Sequence, residues 1–212
     1  MLIPDDELEK VPVRECGERL VSLRGMHPKI FVDGPKKDWC RSKCGHLVRE
    51  SLARKLARVA QSLPPAINLL IVDGYRPIEI QRVAFENALK RAEKKYPYHS
   101  KVKIVEFVQK YVANPDSYTY HSTGGVVDVT LIDVNGRELN MGKSKHIADK
   151  RISKVAKKNR TMLINAMEEQ GFVNYPLEWW HWCYGESLWA AEKRKKHAIY
   201  GKILLRDLKK FL

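Results

Sequence analysis

A β-rich run at Val126–Ile132 constrains the fold most, because a turn and a second extended stretch follow it directly. The turn reads Asp133-Val134-Asn135-Gly136, and the residues from Arg137 to Met141 return to an extended pattern. Two such stretches joined by a short Asn-Gly turn are typical of a β-hairpin, whose strands run antiparallel. The sequence therefore predicts a sheet that contains an antiparallel hairpin.

Helices and further strands surround this hairpin. Residues 46–63 place apolar side chains at helical spacing with charged residues between them, and Pro64-Pro65 ends the pattern. Because the elements alternate without βαβ regularity, the predicted class is α+β, with a small antiparallel sheet flanked by helices. The further predicted helices run from Pro77 to about Tyr96, from Val102 to Val112 and from Arg160 to Gln170, and the further strands are Ile67–Val72, Phe172–Asn174 and Trp179–Tyr184.

The length of 212 residues fits one domain over residues 1–212. Within it we expect an irregular N-terminal segment, 1–45, and a basic C-terminal helix at about 188–212. The longest apolar run, around Leu69–Val72, is too short to span a membrane. The acidic stretch Met1–Lys10 does not resemble a secretory signal, so we expect a cytoplasmic protein.

The net charge of +14 is concentrated in two segments. Residues 142–160 carry eight Lys or Arg and one Asp, and residues 190–212 carry eight Lys or Arg and two acids. Such clusters can attract nucleic acid or another anionic partner, but they are more often solvated helical faces. No zinc-finger spacing, helix-turn-helix signal or RNA-binding motif accompanies them, so no nucleic acid is expected as a partner.

Four cysteines, in a chain of this length without a secretory signal, do not suggest a disulfide framework. Cys40, Cys44 and His46 could be read as part of a metal knuckle. They lack a second pair at zinc-finger spacing, so we do not expect a structural zinc there.

Two segments about 50 residues apart carry the side chains suited to catalysis. The first is Tyr120-His121-Ser122-Thr123-Gly124-Gly125-Val126-Val127-Asp128, and the second is Leu177-Glu178-Trp179-Trp180-His181-Trp182. Two imidazoles and one carboxylate form a ligand set that suits Zn²⁺, and three protein ligands leave a position for water, as in catalytic zinc sites. A remaining carboxylate could take a proton from that water.

Both segments must bend for these side chains to meet. His121 and Asp128 are seven residues apart, and Glu178 and His181 are three apart. Residues at odd separations point to opposite faces of a regular strand. Gly124-Gly125 gives the first segment freedom to bend, and Pro176 suggests that Glu178 lies at an irregular entry to its strand.

The two segments resemble the zinc-binding signature of the VanX-type D-alanyl-D-alanine dipeptidases. His-Ser-Thr-Gly-Gly-Val-Val-Asp followed by Glu-Trp-Trp-His matches the broad pattern S-x-H-x-x-G-x-A-x-D and E-x-W-H of the LAS zinc metallopeptidases, which include D-Ala-D-Ala carboxypeptidases. The doubled tryptophan at 179–180 and Asp73-Gly74-Tyr75-Arg76-Pro77 favour the dipeptidase branch. The resemblance implies a hedgehog/D-Ala-D-Ala peptidase-like fold and runs from about residue 46 to residue 201.

The resemblance also implies a role for each matching residue. His121, Asp128 and His181 would bind one Zn²⁺ ion per chain, Glu178 would be the general base and acid, and Arg76 would stabilise the oxyanion. Thr119, Ser122 and Tyr75 would contact the substrate. A fixed positive charge with a fork of donors, such as that of Arg76, suits a position where negative charge develops.

The sequence departs from the family pattern in one loop that bears on selectivity. Thr119 and Val126 replace the family's Ser and Ala, and a hydroxyl is kept. The dipeptidases usually continue Met-Gly-Thr-x-Phe-Asp after the hairpin, whereas this chain reads Met141-Gly142-Lys143-Ser144-Lys145-His146. The missing acid is one associated with the ammonium group of the substrate. Asp149 is a candidate substitute.

Three functions follow, in order of preference. The first is zinc-dependent hydrolysis of D-alanyl-D-alanine or a related small dipeptide. The second keeps the same chemistry but acts on peptidoglycan stem peptides, as a carboxypeptidase or endopeptidase, with the basic segment 142–160 attracting the anionic substrate. The third is a nucleic-acid-binding module that uses the basic clusters.

Overall fold

The computed structural model describes residues 2–32, 44–117, 119–149 and 151–212. Two short 3₁₀ turns, Tyr120–Thr123 and Leu205–Lys210, accompany the regular elements. The helices are α1 Asp5–Glu9, α2 Glu50–Ser62, α3 Ile78–Lys95, α4 Lys101–Gln109, α5 Lys154–Glu169 and α6 Ser187–Glu192. The strands are β1 Leu20–Ser22, β2 Ile30–Val32, β3 Leu47–Arg49, β4 Ile67–Asp73, β5 Val126–Asp133, β6 Val173–Asn174 and β7 His181–Cys183.

A five-stranded sheet in the order β2-β4-β5-β7-β6 forms the centre of the molecule. The pairs β4–β5, β5–β7 and β6–β7 are antiparallel, whereas the edge strand β2 runs parallel to β4. Strands β1 and β3 form a separate antiparallel pair. The α+β class predicted from the sequence is confirmed, with one parallel pair at the edge of an otherwise antiparallel sheet.

The main core lies between the central strands and helices α2 and α5. Helix α2 presents one continuous apolar face, because its buried residues recur every three or four positions. Each fully buried aliphatic side chain of this kind contributes about 1.5–3 kcal/mol through removal from water. The buried residues of these elements include Leu52, Leu56, Val59, Leu69, Ile71, Val127, Val129, Leu131, Leu163, Met167 and Trp182.

The helix predicted over 46–63 begins later than expected. Leu47–Arg49 pair with β1 instead, and α2 begins at Glu50. All three residues of β3 are buried. Burial on both faces removes the alternation that marks a strand, so the apolar spacing looked helical.

The basic C-terminal helix expected at about 188–212 is wrong. Helix α6 ends at Glu192, and Arg194 takes a left-handed backbone conformation with φ 52°, which a continuing helix does not allow. The chain then pairs with the N-terminal segment, where Ala198 donates its N–H to the Pro12 carbonyl. Tertiary pairing with a distant segment therefore replaces the local helix.

The N-terminal segment 1–45 is less irregular than predicted, since its described part contains α1, β1 and β2. The predicted hairpin turn is present: the Asp133 N–H donates to Arg137, and Gly136 has φ 75°. Its return strand is reduced to one bridge, between Ile132 and Glu138. Helix α5 begins at Lys154, six positions before the predicted start, and Ser153 caps it by accepting the Ala156 N–H.

Across the described ranges, no helix is long and apolar enough to cross a membrane.

Candidate metal centre

The first candidate ligand, His121, lies in a 3₁₀ turn that precedes β5. Gly124 ends this turn with φ 70°, a left-handed conformation that side chains disfavour. A Cβ on Gly125 would lie 2.6 Å from the Tyr184 carbonyl oxygen, so this position also requires glycine. The two glycines let the chain fold back. The side chains of His121 and Asp128 can therefore meet, although their odd separation would place them on opposite faces of a regular strand.

The pairing of β5 with β7 places the other two candidate ligands side by side. Asp128 and His181 are directly opposite each other in the antiparallel register. His181 is the first residue of β7, so Glu178 precedes the strand, as Pro176 suggested. Side chains at such paired positions point to the same face of a sheet and can meet.

The three side chains form one compact, buried group. The His181 Nδ1 lies 3.1 Å from the Asp128 Oδ1, and the His121 Nε2 lies 3.4 Å from the same oxygen. The two imidazole rings meet edge to face, with centroids 4.9 Å apart. Each residue offers one ligand atom, and these atoms lie within 4.8 Å of one another. The structure thus brings together the three residues that the sequence proposed as ligands.

The geometry of this group fits a tetrahedral zinc ion. Ligand atoms about 2.0–2.1 Å from a tetrahedral zinc are about 3.3 Å from each other. The two distances to the Asp128 oxygen, 3.1 and 3.4 Å, agree with that spacing. The His121 Nδ1 lies 2.7 Å from the Gly74 carbonyl oxygen, so it donates its hydrogen there and leaves the Nε2 lone pair facing the group.

Electrostatics favour an anionic ligand at Asp128. Burial opposes ionisation of this carboxyl, but the adjacent His121 and His181 rings outweigh it and hold the pKa of Asp128 well below its usual range. Burial also opposes charge on His121, while Asp128 acts the other way and raises the pKa of that ring. An ionised carboxylate between two imidazoles is a donor set that suits Zn²⁺.

Glu178 lies beside the group without belonging to it. Its Oε2 is 3.9 Å from the His181 Nδ1, and its side chain keeps 30% of its surface exposed. The three-residue cluster does not include it. A partly exposed carboxylate at this distance can exchange protons with a water or a substrate beside the candidate ligands.

Arg76 approaches the group from the end of β4. Its backbone N–H donates to the His121 carbonyl, 3.1 Å away. Its guanidinium donates to Asp73 and, over 2.8 Å, to the Gln81 side chain. Asp73 pairs with Asp128 across β4 and β5, so Arg76 is held near the candidate ligands by a neighbouring carboxylate.

The three residues expected to contact the substrate direct their hydroxyl groups toward other protein atoms. Tyr75 is fully buried, and its hydroxyl donates to the Ile203 carbonyl, so it belongs to the core. The hydroxyl of Ser122 donates to the Thr119 carbonyl, and its oxygen lies 3.0 Å from the Thr119 Oγ1. Both residues are at least nine-tenths buried, and their hydroxyl groups contact each other within the turn.

The loop Met141–Asp149 lies against the segment that carries Glu178. The Lys145 carbonyl accepts the Trp179 N–H over 2.9 Å, and the Ile147 N–H donates to the Pro176 carbonyl. Asp149, the candidate substitute for the missing acid, accepts two hydrogen bonds from the Arg151 guanidinium. This pairing holds the pKa of Asp149 well below its usual range.

Arg160 supports this loop from inside. It is almost fully buried, and its guanidinium donates to the carbonyls of Met141, Ser144 and His146. It also lies 5.2 Å from the centre of the Trp179 ring, within the range of a cation–π contact. This role was not predicted from the sequence, because a helical pattern does not indicate which carbonyls an arginine will bind.

Two supporting residues, Gly74 and Asn174, were not predicted as parts of the site. The Gly74 carbonyl orients His121, and a Cβ at Gly74 would lie 2.6 Å from the Leu47 carbonyl oxygen. The Asn174 side chain donates to backbone carbonyls of the Glu178–His181 segment. Of the possible knuckle at Cys40, Cys44 and His46, Cys40 lies outside the described residues.

The chain is similar to one peptidase family and to several known proteins. The peptidase family described as D-ala-D-ala dipeptidase matches residues 36–199. A D-alanyl-D-alanine dipeptidase of Synechocystis sp. is 24% identical and covers 91% of this chain and 92% of its own length. One from Enterococcus faecalis is 34% identical over 54% of this chain and 60% of its own length. A solved structure of VanYB in complex with D-Alanine-D-Alanine is 16% identical, with a TM-score of 0.44 over 70% of this chain and 79% of its own.

Proposed function

The chain belongs to the D-Ala-D-Ala dipeptidase family of peptidases, and from this we propose that it hydrolyses D-alanyl-D-alanine or a closely related small dipeptide with one zinc ion per chain. The observation that carries the proposal is the buried group His121, Asp128 and His181, whose distances fit tetrahedral zinc while Glu178 lies free of the ligand set. The relatives that share this family are named for the same reaction.

His121, Asp128 and His181 would hold the ion through two imidazole nitrogens and one carboxylate oxygen. When bound, zinc supplies Lewis-acid chemistry that polarises the scissile carbonyl and activates water. Asp128 contributes the negative charge, which its lowered pKa maintains. The hydrogen bond from His121 to the Gly74 carbonyl keeps that ring in the tautomer that binds metal.

Glu178 would move the proton. Its carboxylate accepts a proton from the attacking water and passes it to the amine of the leaving amino acid. The exposed third of its side chain gives it access to both. Arg76 would place its fixed positive charge near the oxygen on which negative charge develops, with Asp73 and Gln81 orienting its guanidinium.

A second substrate class is favoured by one observation, the basic loop beside Glu178. Lys143 and His146 of this loop are exposed, and the loop lies against the Pro176–Trp179 segment. A peptidoglycan stem peptide with acidic groups would be attracted there. The sequence has no nucleic-acid-binding motif beside the basic clusters, so we do not propose nucleic acid as a partner.

A cytoplasmic location is part of the same proposal. Cys16 and Cys183 are free thiols in the described part of the chain. Unpaired cysteines are compatible with a reducing compartment.

Zinc analysis combined with a substrate series tests the proposal. We expect one zinc per chain, hydrolysis of D-Ala-D-Ala and no hydrolysis of L-Ala-L-Ala. Faster turnover of a stem pentapeptide than of the free dipeptide would favour the second substrate class. A zinc-loaded protein that cleaves neither peptide would contradict the proposed function.

A further inference from the structure

Asn174 contacts the backbone of the Glu178–His181 segment at three carbonyl oxygens. From the end of β6, its Nδ2 lies 3.1 Å from the Glu178 carbonyl oxygen, 3.3 Å from that of Trp179 and 3.0 Å from that of His181. We propose that Asn174 is a positioning residue, whose amide holds the bend that directs the Glu178 side chain toward the His181 ring. The assignment of Glu178 rests on the proposed function, whereas that of His181 rests on the metal-binding geometry.

The bend needs such support because it works against strand geometry. Residues three apart on a regular strand would face opposite sides of the sheet. Here the chain makes a turn instead, in which the His181 N–H donates to the Glu178 carbonyl over 3.1 Å. The turn brings the Glu178 Oε2 to 3.9 Å from the His181 Nδ1, so the proton-transfer group and the ligand face each other.

Bending the segment brings its carbonyl oxygens toward one another. The oxygens of Glu178, Trp179 and His181 all lie within 3.3 Å of one nitrogen atom. Carbonyl oxygens that converge in this way repel each other unless a donor lies between them. A side-chain amide carries two N–H groups on one nitrogen and accepts nothing through that atom, so it suits the position.

The other end of the amide shows that these contacts determine its orientation. The Asn174 Oδ1 is buried and has no hydrogen-bond partner among the described residues. Turning the amide over would bring this oxygen against three carbonyl oxygens. The Asn174 side chain therefore leaves its oxygen without a hydrogen bond and keeps its N–H donors on the Glu178–His181 segment.

Backbone bonds also hold the segment: the Tyr175 carbonyl accepts the Glu178 N–H, and the Tyr175 N–H donates to the His181 carbonyl. Two further bonds hold Trp179. The Trp182 Nε1 donates to the Trp179 carbonyl, and the Trp179 N–H donates to Lys145. These bonds fix Trp179 between the two functional residues. The Asn174 amide reaches the carbonyls on both sides, at Glu178 and at His181.

The test compares Asn174→Ala with a matched control, Asn68→Ala, in the zinc-loaded full chain. Asn68 is a buried amide on β4 of the same sheet and donates to the Asp133 carbonyl over 3.5 Å, away from the ligand segments. The measurements are kcat and KM for D-Ala-D-Ala, the zinc dissociation constant by competition with a chelator, and Tm. Loss of an outer-shell partner typically weakens metal binding or activity 10–100-fold.

We expect Asn174→Ala to lower kcat at least about tenfold with little change in KM, and to raise the zinc dissociation constant by about 10–100-fold. Asn68→Ala should lower Tm without either change. Values of kcat and zinc affinity within about twofold of wild type in Asn174→Ala would overturn the proposal, whatever its Tm.

A second variant decides the question if Asn174→Ala does not fold. Asn174→Ser keeps one donor and should give losses between those of wild type and the range expected for the alanine variant. Wild-type zinc affinity and kcat in Asn174→Ser would overturn the proposal in that case. The zinc measurement needs no substrate, so an inactive wild type would contradict the proposed function while the positioning role is still tested.

Discussion

The candidate ligand group and the loop Met141–Asp149 both contact the Glu178–Trp179 segment, but their charged side chains have different surroundings. In the ligand group, one carboxylate is shared by two imidazoles, and all three residues are buried. In the loop, the Lys143 side chain is exposed and backbone carbonyls converge on the buried Arg160. Strand pairing positions Asp128 and His181, whereas the buried Arg160 and backbone bonds to the Pro176–Trp179 segment position the loop.

This difference suggests a division of work within the proposed site. The candidate ligand group would set the reaction, because the types and distances of its donor atoms decide which metal can bind. The loop would set the selectivity, because its basic side chains lie on a stretch that packs against the segment carrying Glu178. Changes in the first region should therefore alter zinc and rate, and changes in the second should alter substrate preference.

Replacing His181 with Ala should have the largest effect. It removes one of three ligands, so zinc affinity should fall by more than the about 100-fold typical of a lost outer-shell partner, and activity should fall with it. Metal analysis after dialysis measures the first effect. His99→Ala, at an exposed histidine, is the control. Full zinc retention in His181→Ala would remove His181 from the ligand set.

Replacing Glu178 with Ala should separate metal binding from proton transfer. We expect zinc to be retained and activity to fall by at least about 100-fold, the usual contribution of a general acid–base group. Glu169→Ala, at an exposed acid near the end of α5, should leave both unchanged. If zinc and activity are lost together, Glu178 acts as a ligand and its assigned role is wrong.

Replacing Arg160 with Met should disturb the loop and spare the metal. The carbonyls of Met141, Ser144 and His146 would lose their donor, which should cost about 1–3 kcal/mol of stability and raise KM. Urea unfolding and steady-state kinetics measure these effects, and zinc content should stay at one per chain. Arg160→Lys keeps the positive charge but not the planar set of N–H donors, so it should retain more stability than Arg160→Met and less than wild type. Unchanged stability and KM in Arg160→Met would show that the loop does not depend on Arg160.

Comparing D-Ala-D-Ala with its N-acetylated form should reveal the role of the loop charges. A free ammonium group near Lys143 and Lys145 meets like charge, so we expect weaker turnover of the free dipeptide or a preference for a blocked amino end. Efficient cleavage of the free dipeptide with no turnover of the acetylated form would contradict this. The structure makes Asp149 a weak substitute for the missing acid, because Arg151 already engages its carboxylate.

Reversing one loop charge should have the smallest effect. Lys145→Glu should lower KM for the free dipeptide by about two- to fivefold, the size expected for a partly exposed ion pair. Lys158→Glu on the exposed face of α5 changes the net charge equally and should not alter KM. An equal effect of both variants would point to the overall field of the protein and not to the loop.

Much of the fold was predictable where the local pattern and the tertiary environment agree. Helix α3 begins directly after Pro77, and β4 extends the predicted run Ile67–Val72 by only one residue. The predictions failed where a distant partner decided the structure. Leu47–Arg49 became a strand because β1 pairs with it, and the residues after Glu192 left the helix to pair with the N-terminal segment.

The sequence alone determined which donor atoms are available and where the chain is able to bend. It supplied two histidines, an aspartate and a glutamate in two short segments, with glycines and a proline beside them. Only the tertiary structure decided which of these atoms face each other. The register of β5 against β7 puts Asp128 opposite His181, and the Asn174 amide lies against the bend that turns Glu178 inward. Register and long-range hydrogen bonds join residues far apart in the chain, so local sequence patterns do not encode them.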